Sequence, residues 1–313
     1  MATYLVTGGA GFIGSNIARA LVARGENVRI LDNFATGRES NLEGLHDKVE
    51  LVRGDLRDPA AVAKAIECAH YVLHQAALPS VPRSIEQPIE FNDVNVNGTL
   101  VLLQAARAAG VKRVVFAASS SAYGETPTLP KVETMNPEPL SPYAASKLAG
   151  EQYLRVFYQS YGLETVSLRY FNVFGPFQDP QSQYAAVIPR FITAALEGRQ
   201  PVVFGDGLQS RDFCFIDNVV EANLLACTAP EAPGKVFNVA CGQRTTLLEV
   251  LDLVASMTGT QIRAKHEPSR AGDVKHSLAD ISRARSVLGY PARVSFAEGL
   301  QRTVDWYRAR RSA

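Results

Sequence analysis

A tyrosine and a lysine stand four positions apart in SPYAASK, residues 141–147. Ser141 reads as an N-cap and Pro142 as the first helical residue, because proline lacks the N–H that a first turn leaves unpaired. Tyr143 and Lys147 then share one helix face. Bringing a phenol from its usual pKa near 10 to about 7 takes roughly 4 kcal/mol of preferential stabilisation of the phenolate. An adjacent ammonium and a helix N-terminus both act in that direction. Taken alone, the pair is equally what an exposed helix face carries. Upstream, RVVFAASSS, residues 113–121, reads as a strand ending in Ser119, Ser120 and Ser121. A hydroxyl donates and accepts, so Ser119 can relay a proton between a substrate alcohol and Tyr143. The competing role is a strand-end hydrogen bond to backbone. No G-x-S-x-G elbow surrounds these serines, which argues against nucleophilic serine chemistry.

A second constellation opens the chain. TYLVTGGAGFIGSNIARALVARG places Gly8, Gly11 and Gly14 between a strand and an amphipathic helix. Backbone amides and the helix start there suit a pyrophosphate, and strand before and helix after supply the context that a bare glycine pattern lacks. Asp32 closes the next strand, NVRILDN. A carboxylate there accepts from an adenosine 2′-hydroxyl and repels a 2′-phosphate, which favours NAD over NADP. Asp32 as a cap of the following turn, and Arg38 nearby as a cation for a 2′-phosphate, are the alternatives.

These residues must be held by a sheet. The short apolar runs YLVTGG, NVRILD, VELVRGD, YVLHQAA, RVVFAASS and TVSLRYFN alternate with helical patterns. That spacing predicts βαβ units and a parallel sheet buried on both faces, an α/β doubly wound fold. After residue 172 the pattern loosens into GPFQDPQSQY and VVFGDGLQSRDF, while KVFNVA reads as one more strand, near 235–240, returning to the sheet. The expected organisation is a dinucleotide-binding (Rossmann) domain over 1–172 and a smaller, interleaved substrate lobe over 173–313.

The bulk properties narrow the partners. The chain has 313 residues, 46% of them hydrophobic and 20% charged, with a formal charge of +1. No general field gathers nucleic acid or an anionic membrane, so the partner is expected to be small. Cys68, Cys214, Cys227 and Cys241 are widely spaced, without C-x-x-C or paired histidines. They suggest neither a metal site nor a disulfide framework. With no signal-like start and no apolar run of about 18 residues, the expectation is a cytoplasmic protein.

In order along the chain, GGAGFIG, SSSAYG, SPYAASK and LRYFNVFGP resemble the extended short-chain dehydrogenases/reductases. HQAALPSVPRS, AAVIP, SRDFCFIDN and RAGDVKHSLADIS resemble the nucleotide-sugar 4-epimerases, especially bacterial UDP-N-acetylglucosamine 4-epimerases. The resemblance implies that Tyr143 is the base, Lys147 its electrostatic partner and a ligand to the nicotinamide ribose, and Ser119 the relay. It places Gly8, Gly11, Phe12, Ile13, Gly14, Asp32, Asn33, Asp55, Leu56, Gln75, Ala76, Ala77, Asn95 and Tyr170 around NAD. Ser80, Ser119, Ser120, Asn172, Ala186, Val187, Arg211, Arg270, Asp273 and Ser277 would hold the UDP-sugar, the arginines meeting its diphosphate. For Arg211 the alternative is an ion pair with Asp212.

The implied reaction removes the C4 hydroxyl proton and the C4 hydride, turns the 4-keto sugar and returns the same hydride to its other face. Related dehydratases carry T-D-E where this chain has Ser119, Ser120 and Ser121, and without that acid pair elimination lacks its proton donor. In these epimerases a small residue at position 277 admits a 2-acetamido group, so UDP-GlcNAc and UDP-GalNAc are expected substrates, with the plain hexoses beside them. Pro79, where acetamido-preferring enzymes carry glycine, departs from the pattern. A homodimer is expected through helices near 92–109 and 142–161, although Leu102, Leu103, Leu154 and Phe157 equally suit an intrachain core.

Overall fold

The computed structural model describes residues 1–180, 187–261, 263–268 and 275–311. Its centre is a seven-stranded parallel sheet. In chain order the strands are β1 (Thr3–Thr7), β2 (Asn27–Asp32), β3 (Glu50–Arg53), β4 (Tyr71–His74), β5 (Arg113–Ser119), β6 (Glu164–Tyr170) and β7 (Lys235–Val239). Each of the apolar runs picked out in the sequence is a strand. They lie side by side as β7-β6-β5-β4-β1-β2-β3. Winding outward from β1 in both directions creates a switch point between β1 and β4, with Thr7 opposite His74 at its rim. Wound sheets bind ligands at this crevice.

Central strands are buried throughout because helices cover both faces: all four residues of β4 and the first six of β5 are buried. On one face pack Ile17, Leu21 and Ile30, with Val219 of helix Ile216–Thr228. On the other pack Leu102, Leu103, Leu154 and Phe157. These last four, although apolar enough to suit a subunit interface, belong to the chain's own core.

Helix Pro142–Tyr161 starts as its sequence dictates. The Ser141 hydroxyl accepts from the Ala144 N–H at 3.1 Å, and Pro142 takes the first position. The helix ends at Gly162, whose φ of +71° suits the left-handed cap. Past β6 the chain makes a satellite layer, in which helices Val187–Leu196 and Leu247–Thr258 pack together and strand Val202–Phe204 runs parallel to Lys265–Glu267. Among the described residues no helix is long and apolar enough to cross a membrane.

Candidate active site

The carboxyl ends of β1, β2, β4, β5 and β6 meet at a cavity of about 710 Å³. Apart from Asn95, every residue assigned to the dinucleotide lines it. Gly8 has φ +69°, and a Cβ there would lie 2.7 Å from the Ala76 backbone nitrogen. A Cβ on Gly14 would sit 2.2 Å from the Gly8 carbonyl oxygen. Turn, strand end and helix therefore approach at backbone distance, which only glycine allows. Helix Phe12–Ala23 has no side-chain cap and no acidic residue in its first turn. Its leading N–H groups and positive dipole end are available to an anion, and this cradle fits a dinucleotide pyrophosphate.

Asp32 is 7% exposed and accepts from the Ala10 N–H at 2.9 Å and the Phe34 N–H at 2.8 Å. Its capping role is real and leaves acceptor capacity unused, since a carboxylate offers about four acceptor sites. Burial pushes its pKa up and the two N–H groups oppose that, so further hydroxyl donors from a ribose suit it. Arg38 pairs with Asp179 across the cavity mouth. Beyond it, a forked Arg57 and the Asn33 amide hold Asp55, keeping that carboxyl well below its usual range.

Asn95 stands elsewhere. It is 2% exposed and clamps the loop after β4 from behind, accepting from the Leu78 N–H at 2.8 Å and donating to the Leu78 carbonyl at 3.2 Å. Its work is to shape the wall rather than to form it. Tyr170 similarly steadies Gln75, donating to its side-chain oxygen at 3.1 Å, while also lining the cavity.

At the rim, Ser119 lies beside Tyr143 and acts to lower the pKa of its phenol. The Ser119 hydroxyl already accepts from the Ser121 N–H at 3.2 Å and the Ser121 hydroxyl at 2.8 Å. With both lone pairs taken, its own proton remains free for another acceptor. Lys147 is 4% exposed, with Nζ 4.5 Å from the Phe116 ring centre. Burial lowers its pKa to about 7 and raises that of Tyr143. That is the reverse of the lowering expected for the phenol. The spacing of the two residues is legible in sequence, but the sealing of this helix face into the protein is not. Sequence reading also missed His74, buried between the Thr7 and Thr99 hydroxyls at 2.8 and 3.0 Å. Burial first, then the Lys147 charge, lowers its pKa to about 3, so it adds no competing charge.

A second cavity, of about 240 Å³, adjoins the end of β6. Asn172, Val187 and Arg211 line it as assigned, together with Phe174, Phe191, Phe204 and Phe213. Arg211 Nη1 donates to the Ser210 and Lys275 carbonyls at 3.1 and 3.0 Å. The carboxylate of Asp212 is held by the N–H groups of Cys241, Gly242 and Ala279. Ser277 bonds to Asn172 at 3.1 Å. Ser80 lines the larger cavity while capping helix Val81–Glu86, and Ser120 begins a short turn, Ser120–Tyr123. Ala186, Arg270 and Asp273 lie outside the described residues.

Phe177, Gln178 and Asp179 also line the larger cavity. Asn16 donates to the Pro176 carbonyl at 3.1 Å, and Arg19 stacks 4.3 Å from the Phe177 ring centre. Their stretch, GPFQDPQSQY, shows neither strand nor helix periodicity, and Arg38 lies 141 positions from its partner Asp179. No local pattern could have revealed the pairing.

A wound sheet with a glycine cradle at its switch point and a Ser–Tyr–Lys set on the rim defines an enzyme of the short-chain dehydrogenase type. Residues 4–240 match the NAD dependent epimerase/dehydratase family, and the chain belongs to that family. A UDP-glucose 4-epimerase of Mycolicibacterium smegmatis is 41% identical over 97% of this chain and 98% of its own. A UDP-N-acetylglucosamine 4-epimerase of Methanobrevibacter ruminantium M1, solved with UDP-N-acetylmuramic acid, superposes with a TM-score of 0.94 at 42% identity, covering 99% of both chains. The Thermus thermophilus UDP-glucose 4-epimerase in complex with NAD gives 0.90 at 41% identity, covering 98% of this chain and 99% of that one.

Proposed function

We propose that the protein interconverts C4 epimers of UDP-sugars, UDP-GlcNAc with UDP-GalNAc and UDP-Glc with UDP-Gal. The observation that carries this reading is the placement of Tyr143 and Lys147 together on the wall of the dinucleotide cavity, with Ser119 beside the phenol. Bound NAD supplies the acceptor, and later the donor, of the C4 hydride. Tyr143 takes the C4 hydroxyl proton at its phenol oxygen, and Ser119 is poised to donate to that oxygen. Lys147 favours the phenolate by its charge and can reach a ribose hydroxyl. Arg211 meets the diphosphate, and the phenylalanine-lined cavity accepts the base. Residues 1–172 with β7 serve mainly the dinucleotide, and 173–313 mainly the UDP-sugar.

An acidic sugar is disfavoured. Arg83, the cation nearest in sequence to the Ser80 loop, is engaged by Gln87 and Glu90 at 2.8 and 2.9 Å, and Glu90 itself lines the larger cavity. A role restricted to sensing NAD does not need the complete Ser–Tyr–Lys set. We further infer a homodimer through helices near 92–109 and 142–161. Tyr153 and Val156, 38% and 46% exposed on the second of these, supply apolar surface. A cytoplasmic location is part of this reading.

The test is a product assay in deuterated water with UDP-GlcNAc, UDP-Glc and UDP-GlcA in competition. C4 should stay free of solvent deuterium, and UDP-GlcNAc should be turned over. Deuterium at C4 would refute internal return of the hydride.

A further inference from the structure

We propose that Ser277 is a positioning residue, whose hydroxyl fixes the amide of Asn172 and with it part of the grip on the nucleotide sugar. The inference rests on the UDP-sugar reading above and assigns the hydroxyl a task separate from the smallness of the side chain.

Asn172 has φ +33°, in the left-handed region that few residues other than glycine adopt. Backbone held there calls for surrounding structure that over-determines it. The surroundings are specific. Asn172 Nδ2 donates to the Asp212 carbonyl at 3.0 Å and to Ser277 Oγ at 3.1 Å, which uses both amide protons. A flipped amide would set Oδ1 against the Asp212 carbonyl, two acceptors face to face. The orientation is therefore decided, and what the amide has left for a ligand is Oδ1, an acceptor for a hydroxyl.

Ser277 is itself anchored. Its backbone N–H donates to the Ser210 carbonyl at 3.0 Å, and its Oγ also accepts from the Asp212 N–H at 3.4 Å. Asp212 in turn is 0% exposed and pinned by three backbone N–H groups. One hydroxyl thus ties the end of β6 to the segment carrying Arg211, and both of those segments line the smaller cavity. A residue that was merely small would leave an amide proton of Asn172 without its acceptor.

Size and hydroxyl separate cleanly by mutation. Ser277→Ala stays small and loses the acceptor, whereas Ser277→Thr keeps the acceptor. Binding of UDP-GlcNAc and UDP-Glc, and kcat/KM for each, would be measured for both variants, for Asn172→Ala and for the Ser277→Ala/Asn172→Ala pair. NAD binding at the other cavity reports folding. Ser277→Ala should weaken both nucleotide sugars by the same factor, roughly 5–10-fold, as expected for one hydrogen bond. Ser277→Thr should recover most of this. The double variant should be no weaker than Asn172→Ala alone, because the hydroxyl acts through that amide. Wild-type-like binding by Ser277→Ala, simple addition of the two losses, or a change confined to the acetamido substrate would each overturn the proposal. Wild-type protein that binds no UDP-sugar at all would overturn the functional reading, and this inference with it.

Discussion

Replacing Lys147 by methionine should stabilise the NAD-free protein while disabling it. Methionine matches the length of lysine without its charge, and the ammonium is buried at 4% exposure. Its pKa drops from the ordinary 10.5 to about 7. At about 1.36 kcal/mol per pKa unit, confining that charge costs about 4 kcal/mol at pH 7. Loss of the attraction to the Phe116 ring, 4.5 Å away, gives back about 1–2 kcal/mol. The expected net gain is therefore about 2–3 kcal/mol at pH 7. Between pH 7 and 10.5 the unfolded chain binds a proton that the native protein has released, so wild-type stability rises with pH across that window. The advantage of the variant should accordingly shrink by about 2 kcal/mol between pH 7 and pH 9. Urea unfolding followed by the fluorescence of Trp306, the single tryptophan, reads this directly. Equal stabilities at pH 7, or a gap that does not narrow by pH 9, would refute the argument. Turnover of the NAD-loaded variant should fall by roughly 10²–10⁴-fold, the range for a lost general-acid/base function.

Tyr143→Phe should lower kcat by roughly 10²–10⁴-fold while NAD and UDP still bind; turnover at the wild-type rate would contradict the proton assignment. Ser277→Tyr should reduce activity on UDP-GlcNAc further than on UDP-Glc, and equal losses on the two would remove the case for a size limit there. His74, 0% exposed, has a pKa of about 3 against an ordinary 6.5. Below 6.5 the unfolded state gains a proton that the native state refuses, so stability falls as pH drops. The His74 contribution is about 2 kcal/mol by pH 5. His74→Gln should erase that part of the slope in denaturant titrations run from about pH 7.5 to 5, and an unchanged slope would count against the burial argument.

The sheet was readable because its strands are short apolar runs, interrupted mainly in β6, where Thr165, Ser167 and Arg169 share one face. The glycine cradle and Asp32 were readable because their spacing along one βαβ unit is set by backbone contact alone. Tyr143 and Lys147 followed from a serine–proline helix start. What stayed hidden depends on distance in sequence or on enclosure. Asn95 has the right chemistry for a ligand contact, yet it faces the Leu78 backbone. The Arg38–Asp179 pair joins two turns with no shared periodicity. The direction of the Tyr143 shift depends on desolvation, which no spacing reports. Leu154 and Phe157 are apolar on the right helix for an interface, yet the near face of the sheet takes them first.

The placement of β7 has a consequence for how the polypeptide is made. On the ribosome, β6 emerges with one edge open, and its outer neighbour does not exist until Lys235–Val239 has been synthesised. Everything between must be parked without templating on that bare edge, the kind of exposed strand that recruits other chains. A nascent chain stalled just short of residue 235 should therefore depend on chaperones, whereas one extended past the helix that follows can close its own sheet.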